Sequence, residues 1–212
     1  MGGVVVVLGA AQLILPRVAA SQISSRIGRY GKVESVSVEA WPAVKLLWGS
    51  VDSVHVKAKS LAMQPTQASK LLWEAHGVSS MDISVQRVEV GSLQLSDATL
   101  RKRGSALSGQ ASTTETAVKV ALPEGFAVKL VHSGGGQVEV QASGALFGIG
   151  ASVNAVGMAS EGKLVAHPVG LLIEGIRLTV FSDPHVYVEG VGASVQSEQP
   201  LTYRLTMSAQ LR

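Results

Sequence analysis

Period-two alternation recurs along most of this chain and limits its fold more than any other feature. In Val54-His55-Val56-Lys57-Ala58-Lys59 the even positions are apolar and the odd ones polar. Successive side chains of a strand point to opposite faces, so Val54, Val56 and Ala58 share one face of a sheet. Similar runs cover Val36 to Val38, Ile83 to Leu95, Val138 to Ala142, Ile176 to Val180 and Tyr203 to Leu211. Between Val85 and Val88 the phase slips by one residue, which calls for a bulge or a bend. Gly134-Gly135-Gly136 and Glu161-Gly162 are hairpin signals, and their spacing predicts antiparallel meanders rather than βαβ units.

Helical periodicity is confined to the first third. Ala19, Ile23, Ile27 and Tyr30 recur at helical spacing, with Gln22, Ser24, Ser25, Arg26 and Arg29 on the other side and Gly28 and Gly31 closing the segment. A second helix is expected from about Pro65 to His76, with Ala68, Leu71, Leu72 and Ala75 as its stripe and Gly77 just past its end. Two helices cover only part of an extensive apolar sheet face. The expected architecture is therefore α+β, a single curved antiparallel sheet wrapped on one or two helices that leaves a groove.

The chain of 212 residues suits one domain. Hydrophobic residues make up 46% and aromatics only 4%, so the core is built from Val, Leu, Ile and Ala. The 16% charged fraction lies below the roughly 25% usual for soluble domains, which leaves apolar surface to cover and makes part of it available to a ligand. Net charge is +3, with basic residues scattered apart from Arg101-Lys102-Arg103 and the loose set Arg26, Arg29 and Lys32. That excess suits an anionic membrane surface. A nucleic-acid partner is not expected, because there is no dense basic stripe with stacking aromatics. The absence of Cys excludes disulfides, thiolate metal sites and a Cys nucleophile.

Val4 to Pro16 reads VVVVLGAAQLILP. As a helix this run is roughly 20 Å long, short of the roughly 30 Å of a hydrocarbon core. The length fits the apolar region of a signal peptide, although no positive segment precedes it and Val18-Ala19-Ala20 is a weak cleavage site. A buried first strand is the alternative, since VVVVLGA is β-branched. The expected organisation is a signal or membrane-anchor remnant over residues 1–16 and one α+β domain over residues 17–212.

Leu15-Pro16, the helix through Ile23 and Ile27, the strand at Val36 to Val38, Trp41-Pro42 followed by Leu46-Leu47 and Gly49, and the strand Val54 to Ala58 together carry a resemblance. In this order the chain resembles the LmeA-like phospholipid-binding proteins of actinobacterial cell envelopes, and more weakly so through the helix at Thr66 to Ala75 and the late strands. Where the family usually has Gly and an aromatic before the proline, this chain has Ala40-Trp41-Pro42. The resemblance implies a non-catalytic protein, exported to the periplasm or cell envelope and tethered there through its N-terminus or free. It implies phospholipid binding, with transfer left open, and a curved sheet similar to tubular lipid-binding domains.

On this reading the apolar groove is lined by Ile23, Ile27, Val36, Val38, Leu46, Leu47, Trp48, Val54, Val56, Leu71 and Leu72, and nearby basic residues favour anionic headgroups at a membrane surface. The alternative is a non-catalytic structural envelope protein with a filled core and a protein partner.

Catalytic motifs are missing. Gly157-Met158-Ala159-Ser160-Glu161-Gly162-Lys163 has the spacing of a phosphate-binding loop, but Leu164 stands where a hydroxyl should hold Mg²⁺, and a hairpin reads better. Gly148-Ile149-Gly150 and Gly190-Val191-Gly192 lack the third glycine of a dinucleotide fingerprint. His55, His76, His132, His167 and His185 have no partner at metal-ligand spacing, and Asp183-Pro184-His185 is first a turn. No cofactor or metal is expected. Trp41 and Trp48 suit either core packing or a membrane-water boundary, and Arg101-Lys102-Arg103 either a solvated hairpin tip or headgroup contacts.

Overall fold

The inward residues of the Val54 alternation are almost sealed from solvent, at 3%, 2% and 1% exposure for Val54, Val56 and Ala58, and the largest sheet is built around them. The computed structural model describes residues 2–122, 124–146, 149–169 and 177–212. Gly148 and Ile176 of the motifs above lie outside this set.

The N-terminal elements are α1 (Gly2–Ile27), β1 (Gly31–Glu39), β2 (Val51–Met63), α2 (Pro65–Glu74) and β3 (Val78–Val90). The central ones are β4 (Leu93–Arg103), β5 (Ala106–Thr114), α3 (Glu115–Ala121), β6 (Phe126–Gly134) and β7 (Gln137–Leu146). The C-terminal ones are β8 (Ile149–Ser160), β9 (Lys163–Val169), β10 (Leu178–Phe181), β11 (Val186–Glu198) and β12 (Leu201–Leu211).

These strands form two sheets, one seven-stranded in the order β1-β2-β3-β4-β5-β12-β11 and one five-stranded in the order β10-β9-β8-β7-β6. The expected single curved antiparallel sheet wrapped on one or two helices, like a tubular lipid-binding domain, is thereby corrected. The α+β class stands, but the two sheets are separate and neither is closed nor strongly curled. The pairing direction also differs, because β2 and β3 run parallel, with Val51 opposite Val78 and Met63 opposite Val90. Parallel neighbours need a crossover, and α2 supplies it. Pro65 opens that helix at a position where a missing N–H costs nothing, and Gln64 and Gln67 cap it reciprocally, the Gln64 N–H donating to Gln67 Oε1 at 2.8 Å.

Helix α1 is continuous through Pro16, so the periodic segment expected beyond the proline is the second half of a longer helix. Pro16 has no N–H to offer the carbonyl of Gln12. Among the described residues no helix is long and apolar enough to cross a membrane. The chain leaves α1 through a 3-10 turn at Gly28–Tyr30 and enters β1 at Gly31, where a Cβ would sit 2.0 Å from the Ser60 carbonyl oxygen.

The phase slip at Val85 to Val88 is a bend that two strands share. Ala58 pairs with Val85 and Leu61 with Val88 with no register shift between β2 and β3, and these residues pack in one cluster with Ile27, Tyr30 and Met63. Register shifts do interrupt β1 against β2, β10 against β9, β11 against β12 and β6 against β7. A further one separates β4 from β5 between Ser96 and Thr99, where Asp97 has a φ of 49°.

Two hairpin turns of the five-stranded sheet meet the outer edge of β11. The Val188 N–H donates to the Gly162 carbonyl at 2.9 Å, the Val191 N–H to the Gly136 carbonyl at 3.2 Å, and the Ala193 N–H to Ser133 Oγ at 2.9 Å. Gly162 lies flat against the Tyr187 ring, which a Cβ would approach to 2.2 Å, and the Arg212 guanidinium sits 3.6 Å from the centre of the same ring.

Candidate functional site

Strand pairing lines up side chains in rows that cross the seven-stranded sheet. One row runs Val38, Val54, Met81, Lys102, Leu107, Ala209, Val188. All seven of its residues are buried. The next row on the same face runs Val36, Val56, Ile83, Leu100, Gly109, Met207, Val191. Here Val56 is buried and the other six are half-buried. At about 4.8 Å between strands, seven strands carry such a row across about 29 Å. Gly109 puts no side chain into its middle, where a Cβ would meet Leu100 Cδ1 at 3.7 Å.

Helix α1 lies over the β1 end of these rows. Ala19, Ala20, Ile23 and Ile27 pack against the cluster of Val38, Val54, Val56 and Met81, as do Val36, Leu46 and Leu72. Eight of the eleven residues expected to line a groove thus come together: Ile23, Ile27, Val36, Val38, Leu46, Val54, Val56 and Leu72. Leu71 is half-buried outside that cluster. Leu47 and Trp48 point away, at 67% and 75% exposure. Leu72 also touches the cluster of Leu107, Val186, Ala209 and Leu211, so α2 joins two parts of the core. Leu100, Met207 and Val191 extend the half-open row, and sequence reasoning missed them because alternation gives a residue's face but not its cross-strand partner.

Lys102 interrupts the sealed row. Its side chain is 2% exposed and its Nζ donates to the Val78 carbonyl, while burial pushes the amine below the ordinary lysine range. The run Arg101-Lys102-Arg103 therefore divides by alternation rather than acting as one basic tip. Arg101 and Arg103 take the opposite face and converge on Asp82, Arg103 Nη2 at 2.9 Å and Arg101 Nε at 3.6 Å, with His55 Nδ1 at 3.6 Å.

On that opposite, polar face a crevice of about 470 Å³ lies between the sheet and the β6–β7 hairpin. Thr99, Arg101, Ser108, Gln110, Thr206 and Ser208 line it from the sheet, and Ser133 and Gly136 from the hairpin.

The turn between β1 and β2 is tightly built yet apolar outside. Gln12 on α1 grips both ends of its bend, Nε2 donating to the Ala40 carbonyl at 3.0 Å and Oε1 accepting from the Ala43 N–H at 2.7 Å. Asp52 accepts from the Trp41 N–H at 2.6 Å and pairs with Lys45 Nζ at 3.3 Å. The Trp41 N–H, ahead of Lys45, holds the Asp52 carboxyl below its ordinary range, with burial acting the other way. Ala43 is 1% exposed, and Gly49 closes the 3-10 segment Ala43–Trp48 with a φ of 71°. Trp41, Leu47 and Trp48 stand out from this frame.

The remaining chemistry-bearing residues act structurally. Asp183 Oδ1 accepts the His185 N–H at 2.8 Å, closing a turn on itself. His185 and His76 stack on Trp73, with ring centres 4.0 and 5.1 Å away. Among the described residues no grouping of His, Asp and Glu is arranged to hold a metal ion.

Comparison with known proteins bears on what this apolar layer handles. The family model described as LmeA-like phospholipid-binding matches residues 6–209, nearly the whole chain. Neither the curated proteins nor the solved structures include a match. A match of this extent makes the protein a lipid-binding rather than a catalytic one and places it in the cell envelope. The helix, Trp-Pro turn, Leu pair and alternating strand that first carried the resemblance lie within the matched span, and the chain belongs to the LmeA-like phospholipid-binding family.

Proposed function

We propose that this protein binds one phospholipid along the half-open row of the seven-stranded sheet, with an acyl chain running over Ile83, Leu100 and Met207 from the margin of α1, where Ile23, Ile27, Val36 and Val56 close the path. Leu46, Leu71 and Leu72 border this path, and Val38 and Val54 form its floor. The observation that carries the reading is the contrast between the two rows, one sealed throughout and one half-buried at every position except Val56, in a family that binds phospholipid. Burying acyl carbons is worth about 0.8 kcal/mol per CH₂ relative to water, but a bilayer offers nearly the same environment. Loading and release are then close to balanced, as a carrier requires. The net charge of +3 biases uptake towards anionic lipids in a salt-dependent way. Residues 1–16 serve as the end of an anchor that stays attached, since Gln12 holds the β1–β2 turn, and keep the domain on the outer side of the membrane.

Lipid mass spectrometry on freshly purified protein, followed by uptake from anionic vesicles, tests this. Wild-type protein should carry phospholipid. Met207→Asp should lose it and Ser208→Asp keep it, since adjacent strand residues face opposite sides. If wild-type protein carries no lipid and takes none up, the structural-envelope alternative replaces this reading.

A further inference from the structure

The turn between β1 and β2 combines rigidity with apolar exposure. Trp41, Leu47 and Trp48 are 74%, 67% and 75% exposed. They are nevertheless held by a frame of five directed contacts, two from Gln12, two involving Asp52 and the Gly49 N–H returning to the Leu46 carbonyl. A loop that merely tolerated stray apolar residues would not need such bracing. Two of the three side chains are indoles, whose apolar ring and N–H donor suit the layer between water and acyl chains.

The surroundings indicate the occupant. Gln12 fastens the turn to α1, and from Gln12 that helix runs back to Gly2, about 15 Å further, through the sequence VVVVLGAA. On α1 the exposed apolar residues Ile14 and Val18 lie within one turn of each other, on the side away from Gln12. Arg17, exposed and without an ion pair among the described residues, adds a cation about 7.5 Å along the axis from Gln12. The turn is thus fastened to a helix whose outer side carries exposed apolar residues and a cation, Ile14, Val18 and Arg17.

We propose that the Trp41–Trp48 turn seats this protein on a phospholipid bilayer, with Trp41, Leu47 and Trp48 entering the interfacial layer beside α1. The proposal rests on the phospholipid reading for its choice of partner but not on the path of the bound lipid. The turn joins β1 to β2 just past Val38 and Val54, so seating there brings the β1–β2 side of the sheet to the membrane from which lipid would be taken.

The test uses the full chain in a Trp73→Phe background, so that only Trp41 and Trp48 emit. With vesicles of phosphatidylcholine and phosphatidylglycerol, their emission should shift to the blue and be quenched by brominated acyl chains. Replacing Trp41, Leu47 and Trp48 together by Ser should cut vesicle partitioning by about tenfold or more while leaving the melting temperature unchanged, because the three side chains are exposed. Indoles that stay water-exposed and unquenched in the presence of vesicles overturn the proposal, as does partitioning unaffected by the triple substitution. A wild-type dimer that dissociates in the triple variant also overturns it, because the surface then belongs to a second copy. Uptake of short-chain phospholipid separates the two readings. A chain that takes up such lipid but never seats its indoles loses the docking turn and keeps the binding function, whereas one that seats them and takes up none loses the function and keeps the turn.

Discussion

In the seven-stranded sheet, paired rows close into three buried clusters, whereas in the five-stranded sheet Val165 is the only buried apolar side chain among the described residues. Both sheets use alternating strands. The second one aligns Leu130, Val140, Ala155 and Pro168 across β6 to β9, and Val128, Ala142 and Val153 beside them, yet each of these stays half-buried. The difference lies in what covers the face: α1 and α2 lie on the first sheet, and no described helix packs across the second to the same extent. Alternation makes a sheet, but only a covering layer turns it into a core, and the second sheet is positioned instead by the contacts of its turns with β11.

The largest test of this contrast is a matched pair of substitutions. Val56→Asp places a carboxylate without a partner in the sealed core and should cost at least about 4 kcal/mol. Val140→Asp, in the half-buried row of the other sheet, should cost about 1–2 kcal/mol. Urea unfolding followed by circular dichroism measures both. Equal losses would mean that the second sheet is as firmly filled as the first.

A smaller effect probes the attachment between sheets. Gly162→Ala combines a φ of 77° with a Cβ aimed at the Tyr187 ring, and should cost about 3 kcal/mol. Gly135→Ala shares the positive φ, 62°, but meets open space, and should cost about 1 kcal/mol. If the two variants melt together, the contact at Tyr187 does not hold the sheets in place.

The smallest effect sharpens the picture of the sealed row. Lys102→Met should be neutral or stabilising by about 1 kcal/mol at neutral pH, because it removes a buried charge. The folded-state pKa of Lys102 lies below its unfolded value, so the unfolded chain binds more protons between the two. Wild-type stability should therefore rise with pH from the lowered value up to about 10.4. The slope in this window should flatten in Lys102→Met. An unchanged slope would assign it to another group.

Much of the first sheet was legible because its inward residues alternate cleanly, as at Val54, Val56 and Ala58. The parallel pairing of β2 with β3 was not, since alternation is the same for either direction and the α2 segment read as a cap on the sheet rather than a crossover. The division into two sheets was hidden for a related reason: nothing local in β7 or β8 states which neighbours they avoid. The burial of Lys102 was masked by its two arginine neighbours, although alternation between Leu100 and Lys102 already placed it on the inner face. Within the candidate site, residues on α1, β1 and β2 could be named from helical and strand spacing. Leu100, Met207 and Val191 needed the strand order, which depends on contacts between residues far apart in the chain.

The register shifts described above have a distribution with its own consequence. Four of the five affected strand pairs include a border strand, β1, β11, β10 or β6, whereas β2 with β3, β3 with β4, β5 with β12, β7 with β8 and β8 with β9 pair without interruption. An unbroken border strand is a template on which another chain can add itself edge to edge. A bulge breaks the regular spacing of donors and acceptors that such an addition needs and twists the edge out of line. For a protein this rich in valine and alanine, irregular borders guard against growth into fibrils, while the straight pairing inside each sheet keeps its strength.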